Sequence, residues 1–406
     1  VDTANNKTRI AVLSPFLDKH HGTERIIIEW ISRLAGSFDI HLYSQRVSET
    51  DLSQITWHRI PELRGPHMLN YLWWFAANHL CRIWDRHVRG IRYELVFSPG
   101  INCFNADVIS VHIIFAEYCR LARKQLSFRE NPLKSWPRLL HRKIYYRLLI
   151  ALEKHIYPNA HNHLILIAKK TAQDLKHHYS RETFQEVMYL GLDHQTFNPP
   201  NRLHLRSQAR EMLEIPADAF VLLLVGNDWK KKGLSALLDS LKLLRELPIV
   251  LLVVGSDDSS PYQALAHRYG VTANLKFVPS RPDVLFYYGA ADANVGPSLE
   301  DTFALPTAEA MACGLPVITS IQNGTSEIII DGTNGLLLKD PTDSRALAAA
   351  IRRLYEDRHL CQQLGENAAR TIAAFTWEGN VEQIARIFRE HLRRKQNGKM
   401  TVANFM

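Results

Sequence analysis

The sequence predicts an α/β protein made of two doubly wound, parallel-sheet domains, and three observations carry that reading. Short continuous apolar runs alternate with amphipathic helical stretches along the chain, the pattern of strands covered on both faces by helices. The alternation breaks at the Pro-rich stretch Phe197–Asn201 and then restarts, which places a linker there. A length of 406 residues suits two domains of roughly 100–200 residues each.

Taken in order, Arg9–Ser14 is a short apolar run, followed by a turn containing Gly22 and a helical pattern over Glu24–Leu34. Asp39–Tyr43 reads as strand, Met68–Val88 as helix, and Glu94–Ser98 and Asp107–His112 as strands. His163–Ile167 leads into a helix at Lys170–His178, and Glu186–Leu190 closes the first half. After the linker, Phe220–Val225 and Ile249–Val254 are unbroken apolar runs, each ending at a glycine, Gly226 and Gly255. Strands follow at Leu275–Val278, Ala293–Gly296 and Pro316–Thr319, and Thr342 to Arg394 reads as three amphipathic helices.

Composition narrows the function classes. With 46% apolar and 22% charged residues, disorder and fibrous readings drop out. No stretch approaches the ~18 apolar residues needed to span a bilayer. Five cysteines without CxxC spacing argue against a disulfide framework or structural zinc and for a reducing compartment. Val1–Thr8 is polar, so a secretory signal is not expected; the expected location is cytoplasmic.

Charge is unevenly spread. Residues 1–195 hold 26 Lys and Arg against 18 Asp and Glu, whereas residues 196–406 hold 23 of each. The excess peaks over Arg120–Lys154, where ten basic residues face only Glu130 and Glu153 among interleaved aromatic and aliphatic side chains. Such a segment is either a solvated helix face or a surface for anionic lipid, an acidic substrate or nucleic acid. Nucleic acid is set aside, because no RRM, KH, zinc-finger or helix-turn-helix signature accompanies it. The Tyr71–Phe75 cluster either inserts into lipid or packs in the core.

Three motifs carry chemistry. His20-His21-Gly22-Thr23-Glu24-Arg25 sits at a strand-to-helix turn, where a glycine lets backbone N–H groups approach a phosphate. Gly226-Asn227-Asp228-Trp229-Lys230-Lys231-Lys232-Gly233 follows a core strand and precedes a helix, an anion-binding design of point charges and amides. Its spacing is not that of a P-loop. In the segment 297–318, Asp301 and Glu309 place two carboxylates on one loop-helix unit, suited to accepting hydroxyl groups of a diol; Asp301 alternatively caps the following turn.

The run Pro297-Ser-Leu-Glu-Asp-Thr-Phe-Ala-Leu-Pro-Thr-Ala-Glu-Ala-Met-Ala-Cys-Gly-Leu-Pro-Val-Ile318 resembles the signature of retaining glycosyltransferases of family GT4, with the GT-B fold. Two acidic residues with seven between them, then a small-residue helix ending in Gly-Leu-Pro-Val-Ile, define that signature. Gly22–Arg25, His112, Leu190–Asp193, the lysine loop, Asp331–Leu336 and Phe375–Glu378 follow in the family's order. The resemblance spans nearly the whole chain, strongly after residue 186 and diffusely over residues 50–150.

The resemblance implies two Rossmann-like domains facing across a cleft. Residues 1–195 would form the acceptor-side domain, 196–376 the donor-binding domain, and 377–406 a helix returning to the first. It implies transfer of a hexosyl group from a nucleotide sugar, UDP-sugar before GDP-mannose, to a hydroxyl of a glycan or lipid-linked acceptor. Gly22, Lys231 and Lys232 would hold the diphosphate and Glu309 the ribose. Asp301, with Thr302, Phe303, Ala304 and Leu305, would hold the donor sugar, and His112 would contact it near the reacting carbon. His112, Lys232 and Asp301 are thus the implied catalytic set. Lysines in place of a DxD imply no metal and no cofactor. The implied partners are the nucleotide sugar, its acceptor and an anionic membrane surface, with the protein peripheral on the inner face of the plasma membrane. A non-catalytic partner subunit of the same fold is the alternative, disfavoured because Lys232, Asp301 and Glu309 are retained. Asn227 stands where the family often has Arg, Asp301 is one methylene shorter than the commoner Glu, and Ala304 replaces a frequent Gly.

Overall fold

The computed structural model describes residues 7–18, 22–48, 51–123, 126–129 and 133–403. His20, His21, Lys124, Glu130 and the side chain of Lys134 lie outside the described residues. The chain forms two compact units, one of Val1–Tyr189 with Trp377–Met406, the other of Leu190–Thr376.

The first unit is built in the order β1 Arg9–Leu13, β2 Phe16–Leu17, α1 Gly22–Leu34, β3 Asp39–Ser44, β4 Arg46–Val47, β5 Ile55–Arg59 and α2 His67–Val88. β6 Leu95–Pro99, β7 Val108–Val111, α3 Phe115–Leu121, α4 Trp136–Ile156, β8 His163–Leu166, α5 Lys169–Tyr179 and β9 Gln185–Val187 follow. Its main sheet has the order β5-β3-β1-β6-β7-β8-β9, parallel throughout. Both faces are covered, so Ile10, Ala11, Val12 and Leu13 are all buried in sequence, which is why the strand reads as an apolar run rather than an alternation.

The second unit begins with α6 Pro199–Met212 and continues through β10 Phe220–Val225, α7 Leu234–Lys242, β11 Ile249–Val254, α8 Ser260–Tyr269 and β12 Leu275–Val278. α9 Leu285–Ala290, β13 Ala293–Gly296, α10 Leu305–Ala312, β14 Val317–Ser320, β15 Leu336–Leu338, α11 Ser344–Glu356 and α12 Arg358–Ile372 complete it. The parallel sheet has the order β12-β11-β10-β13-β14-β15. The last helix, α13 Trp377–Ala403, belongs to the first unit. There Asn380 Oδ1 accepts from Trp30 Nε1 at 3.4 Å, its Nδ2 donates to Tyr189 O at 2.9 Å, and Phe388 packs on Phe38 and Phe97.

One expectation needs correction, and one open alternative is decided. Phe197–Asn201 is not a linker: Asn198 caps α6 by accepting from the Asn201 N–H at 2.8 Å, and the two prolines occupy the first helical positions, where the missing N–H has no intrahelical role. The chain passes between units at Tyr189–Leu190. Of the two readings of the Tyr71–Phe75 cluster, core packing holds: Trp74 is fully buried and its Nε1 donates to Asn102 Oδ1 at 3.0 Å, while Tyr71 donates to Ile101 O at 2.5 Å. Within the cluster Leu72 alone is an exposed large apolar side chain.

Candidate functional site

In the second sheet the strand order reverses between β10 and β13: β11 and β12 lie beyond β10, β14 and β15 beyond β13. Crevices at such a switch point, outside the carboxyl ends of the strands, are where open parallel sheets bind ligands. The loop after β10 is the lysine loop, and the loop after β13 carries Asp301.

The two loops are locked together. Leu299 N donates to Lys231 O at 2.8 Å. Gly233, at φ +80°, approaches Pro297 so closely that a Cβ would lie 2.1 Å from its carbonyl oxygen; only glycine fits. Gly226, at φ +119°, leaves room for the Lys232 side chain, whose Cε would sit 3.2 Å from a Cβ there. Lys232 thereby reaches back over its own loop, and its Nζ donates to Asp301 Oδ2 at 2.6 Å. Lys231 Nζ pairs with Glu300 Oε2 at 2.5 Å. Burial alone would lower the pKa of Lys231, but the Glu300 carboxylate, together with Asp301 and Asp228, outweighs it and the pKa is raised, so the ammonium stays charged.

A third loop braces the acidic one. Gly324 N donates to Asp301 O at 2.9 Å, and Ala304 N donates to Thr325 Oγ1 and Asn323 Oδ1 at 3.1 and 3.3 Å. The Ala304 amide is therefore committed inside the protein, which corrects the expectation that it grips a ligand. Asp301 does not cap α10 either, because the residue before the helix is Ala304. Phe303, Ala304 and Leu305 are buried, and Thr302 is half-buried. Asn227 accepts the Ser256 N–H on Oδ1 at 2.9 Å, tying the lysine loop to the turn after β11.

Glu309 projects from α10 into the interior, 2% exposed, and accepts the Tyr288 hydroxyl proton at 2.9 Å. Sequence reasoning missed Glu300, Tyr288, Asn323 and Thr325. Glu300 was legible in principle, as a second acid beside Asp301 opposite a second lysine.

The first unit holds the other two candidates at the carboxyl end of its sheet. Gly22 opens α1, exposed, with nothing within 4 Å of where a Cβ would be. His112 follows β7; its Nε2 lies 3.0 Å from Ser110 Oγ, its ring 5.9 Å from that of Trp30, and its Nδ1 has no hydrogen-bond partner. Burial pushes its pKa down to about 4, so the imidazole is neutral at pH 7. Among the described residues there is no group of three or more His, Cys, Asp or Glu that could hold a metal ion, and no helix long and apolar enough to cross a membrane.

Residues 206–371 match the family described as glycosyl transferases group 1. Similar proteins include D-inositol 3-phosphate glycosyltransferases from Thermomonospora curvata, 32% identical over half of each chain, and from Geodermatophilus obscurus, 33% identical over 52% of this chain and 49% of that one. The chain thus spans about half the length of the curated relatives it matches. Among solved structures, WaaG, a glycosyltransferase involved in lipopolysaccharide biosynthesis, is 21% identical with a TM-score of 0.78, covering 93% of this chain and 99% of that one. Anabaena HepE in complex with UDP and glucose is 19% identical with a TM-score of 0.70, over 94% and 100%. These matches identify the fold as GT-B, with two Rossmann-like units.

Proposed function

We propose that this protein is a retaining, metal-independent glycosyltransferase of the GT4 type. It moves a hexosyl group from a nucleotide sugar, UDP-sugar before GDP-mannose, to a hydroxyl of a glycan or lipid-linked acceptor. The observation that carries the reading is the pairing of two loop lysines with Glu300 and Asp301 at the switch point of the second sheet, beside the α10 that carries Glu309. A diphosphate entering there meets two positioned ammonium groups, and a ribose finds a buried carboxylate. The relatives named for glycosyl transfer and the neighbour holding UDP and glucose support the same class.

In this mechanism Lys232, aided by Lys231, neutralises the charge that grows on the diphosphate as its bond to the sugar C1 breaks. The acceptor oxygen bonds to C1 on the face the diphosphate leaves, and the acceptor's proton passes to the departing phosphate oxygen. Asp301 accepts sugar hydroxyl protons once Lys232 turns to the phosphate. His112, neutral, serves as a hydrogen-bonding ligand to the sugar rather than as a proton carrier, and Gly22, the first residue of α1, donates its amide to the phosphate. The lysines take the place of a cation, so activity should persist in excess EDTA. A donor-turnover assay with UDP- and GDP-sugars tests the reading. Absence of turnover with tight nucleotide-sugar binding would favour a non-catalytic subunit, and loss of activity in EDTA with recovery in magnesium would refute the lysine account.

The first unit also supports a peripheral membrane role. On α4, Trp136, Leu140 and Ile144 are exposed at helical spacing, alongside exposed Arg138, Arg142 and Arg147. Glu153, one of the two acids in this basic stretch, is turned inward. It accepts the Phe115 and Ala116 N–H groups at the start of α3 and the Tyr179 hydroxyl proton, so it does not offset the surface charge. Apolar side chains among arginines suit an anionic interface.

A further inference from the structure

A cavity of about 590 Å³ lies in the first unit at the amino end of β6, between the last turns of α2 and the distal part of α13. Gly22 and His112 sit at the carboxyl ends of the strands, so this cavity is a different place from the candidate site. Its charged lining is one-sided: Arg82, Arg86 and Arg92, with Lys395 already paired to Asp107, against Glu94; His79 is neutral, because burial and the Arg82 charge lower its pKa.

Arg82 is the informative residue. It is 7% exposed, and among the described residues its guanidinium donates to neutral acceptors: Asn105 Oδ1 at 3.0 Å, Asn78 Oδ1 at 3.3 Å, Asn78 O at 3.4 Å and the Cys103 thiol. His79 Nδ1 lies 3.4 Å away. The nearby carboxylates are engaged elsewhere. Asp85 serves Arg89, His58 and Tyr43, Asp107 serves Lys395 and His391, and Glu94 accepts the Arg9 N–H. Burying a cation without an opposite charge is unfavourable, so a site that keeps one beside two exposed arginines has the character of a receptor for an anion. Guanidinium forks match phosphate oxygens, and three of them supply more charge than one carboxylate would neutralise. The remaining wall includes Ile83, Ile91 and Leu392, which suits an apolar substituent next to the anion.

We propose that this cavity binds a phosphoryl group carrying an apolar substituent, either a soluble phosphate ester or a phospholipid headgroup. The site stands independently of the glycosyl-transfer reading. Calorimetry on the full chain tests it, in a Lys232→Ala background so that the lysine loop does not compete. Phenyl phosphate should bind saturably with one site per chain, and benzyl alcohol should not bind. Replacing Arg86 and Arg92, both exposed, by Gln should weaken phenyl phosphate at least about tenfold, as loss of charge-assisted bonds demands, with an unchanged melting temperature. Dihexanoyl phosphatidate binding much more tightly than phenyl phosphate marks a lipid headgroup as the source; comparable affinities mark a soluble ester. No saturable binding of either probe, or equal affinity with and without Arg86 and Arg92, overturns the proposal.

Discussion

Lys232 Nζ lies 2.6 Å from Asp301 Oδ2, so each of these groups is the other's partner until a ligand separates them. The pair holds the ammonium folded back over Gly226, largely shielded from solvent. On the proposed donor reading, Asp301 would compete with a diphosphate for the same cation.

Two variants distinguish the partners. Lys232→Ala should lower transfer by about ten- to a hundredfold, because a charge-assisted contact is worth roughly 1.5–3 kcal/mol. Thermal stability should change little, since partly exposed ion pairs contribute about 0–1 kcal/mol. Asp301→Asn should leave free UDP affinity unchanged or raised, by releasing Lys232, while weakening the sugar-bearing donor. Calorimetry showing that Asp301→Asn loses UDP and UDP-sugar affinity equally would contradict this division.

Glu309→Gln should weaken nucleotide and nucleotide sugar to the same degree, because the ribose is common to both. The loss should be about tenfold or more, on the scale of one or two hydrogen bonds to a charged acceptor. Tyr288→Phe, which removes the bond that orients the carboxylate, should cause a smaller loss of the same kind. Isothermal titration of the two variants against UDP and UDP-sugar gives the comparison.

The parts of this site that were legible in the sequence are those set by local pattern. The lysine loop follows the apolar run of β10, and Asp301 and Glu309 lie on one continuous segment, so strand, loop and helix could be placed from periodicity and spacing. The braces were not legible. Asn323, Thr325 and Tyr288 reach the site from β14's loop and from α9, and nothing local marks them as partners of Ala304 or Glu309. The edge strand β5, Ile55–Arg59, was missed because its half-exposed Thr-Trp-His-Arg run lacks the apolar continuity of the central strands. The linker was misplaced for a related reason: two prolines read as a break, yet at the first turn of a helix they reinforce it.

Gly233→Ala probes whether the locked geometry of the two loops is needed. A Cβ 2.1 Å from Pro297 O cannot be accommodated by a rotamer change, and the positive φ adds about 1–2 kcal/mol for an L-residue. The variant should melt several degrees lower and lose nucleotide binding, because Lys231 and Lys232 are carried by the same loop. Wild-type melting and wild-type binding together would show that the loops can separate without cost.

His112 gives the first unit an acid-labile component. Its pKa is about 4 in the folded chain against ~6.5 unfolded, so below ~6.5 the unfolded state binds more protons. Stability is complete above that value and falls as pH drops toward 4. Between pH 7 and 5 the loss from this residue should be about 2 kcal/mol. His41, His58 and His163 are shifted downward too, with burial the leading cause, and add to the same trend. Urea unfolding at pH 7 and 5 should show a smaller acid loss in His112→Gln than in the wild type, and identical losses would remove the residue from the account.

The membrane reading turns on whether the exposed face of α4 meets lipid or only water. Its apolar residues Trp136, Leu140 and Ile144 lie among Arg138, Arg142 and Arg147, with Lys143 held 4.2 Å from the centre of the Phe128 ring. Each basic side chain near an anionic surface gains about 1 kcal/mol, so a handful suffices for reversible binding. Salt should weaken it, since charges separated by more than about 8–10 Å are screened at physiological ionic strength. Co-sedimentation should therefore show binding to anionic vesicles and not to neutral ones, and the binding should fall as salt rises. Replacing Arg138, Arg142 and Lys143 by Gln should remove most of the charge-dependent part, and replacing Trp136 and Leu140 by Ser the salt-resistant remainder. If the wild type leaves neutral and anionic vesicles equally empty, or sediments with both alike, the basic face is a solvated one and the acceptor must reach the enzyme from solution.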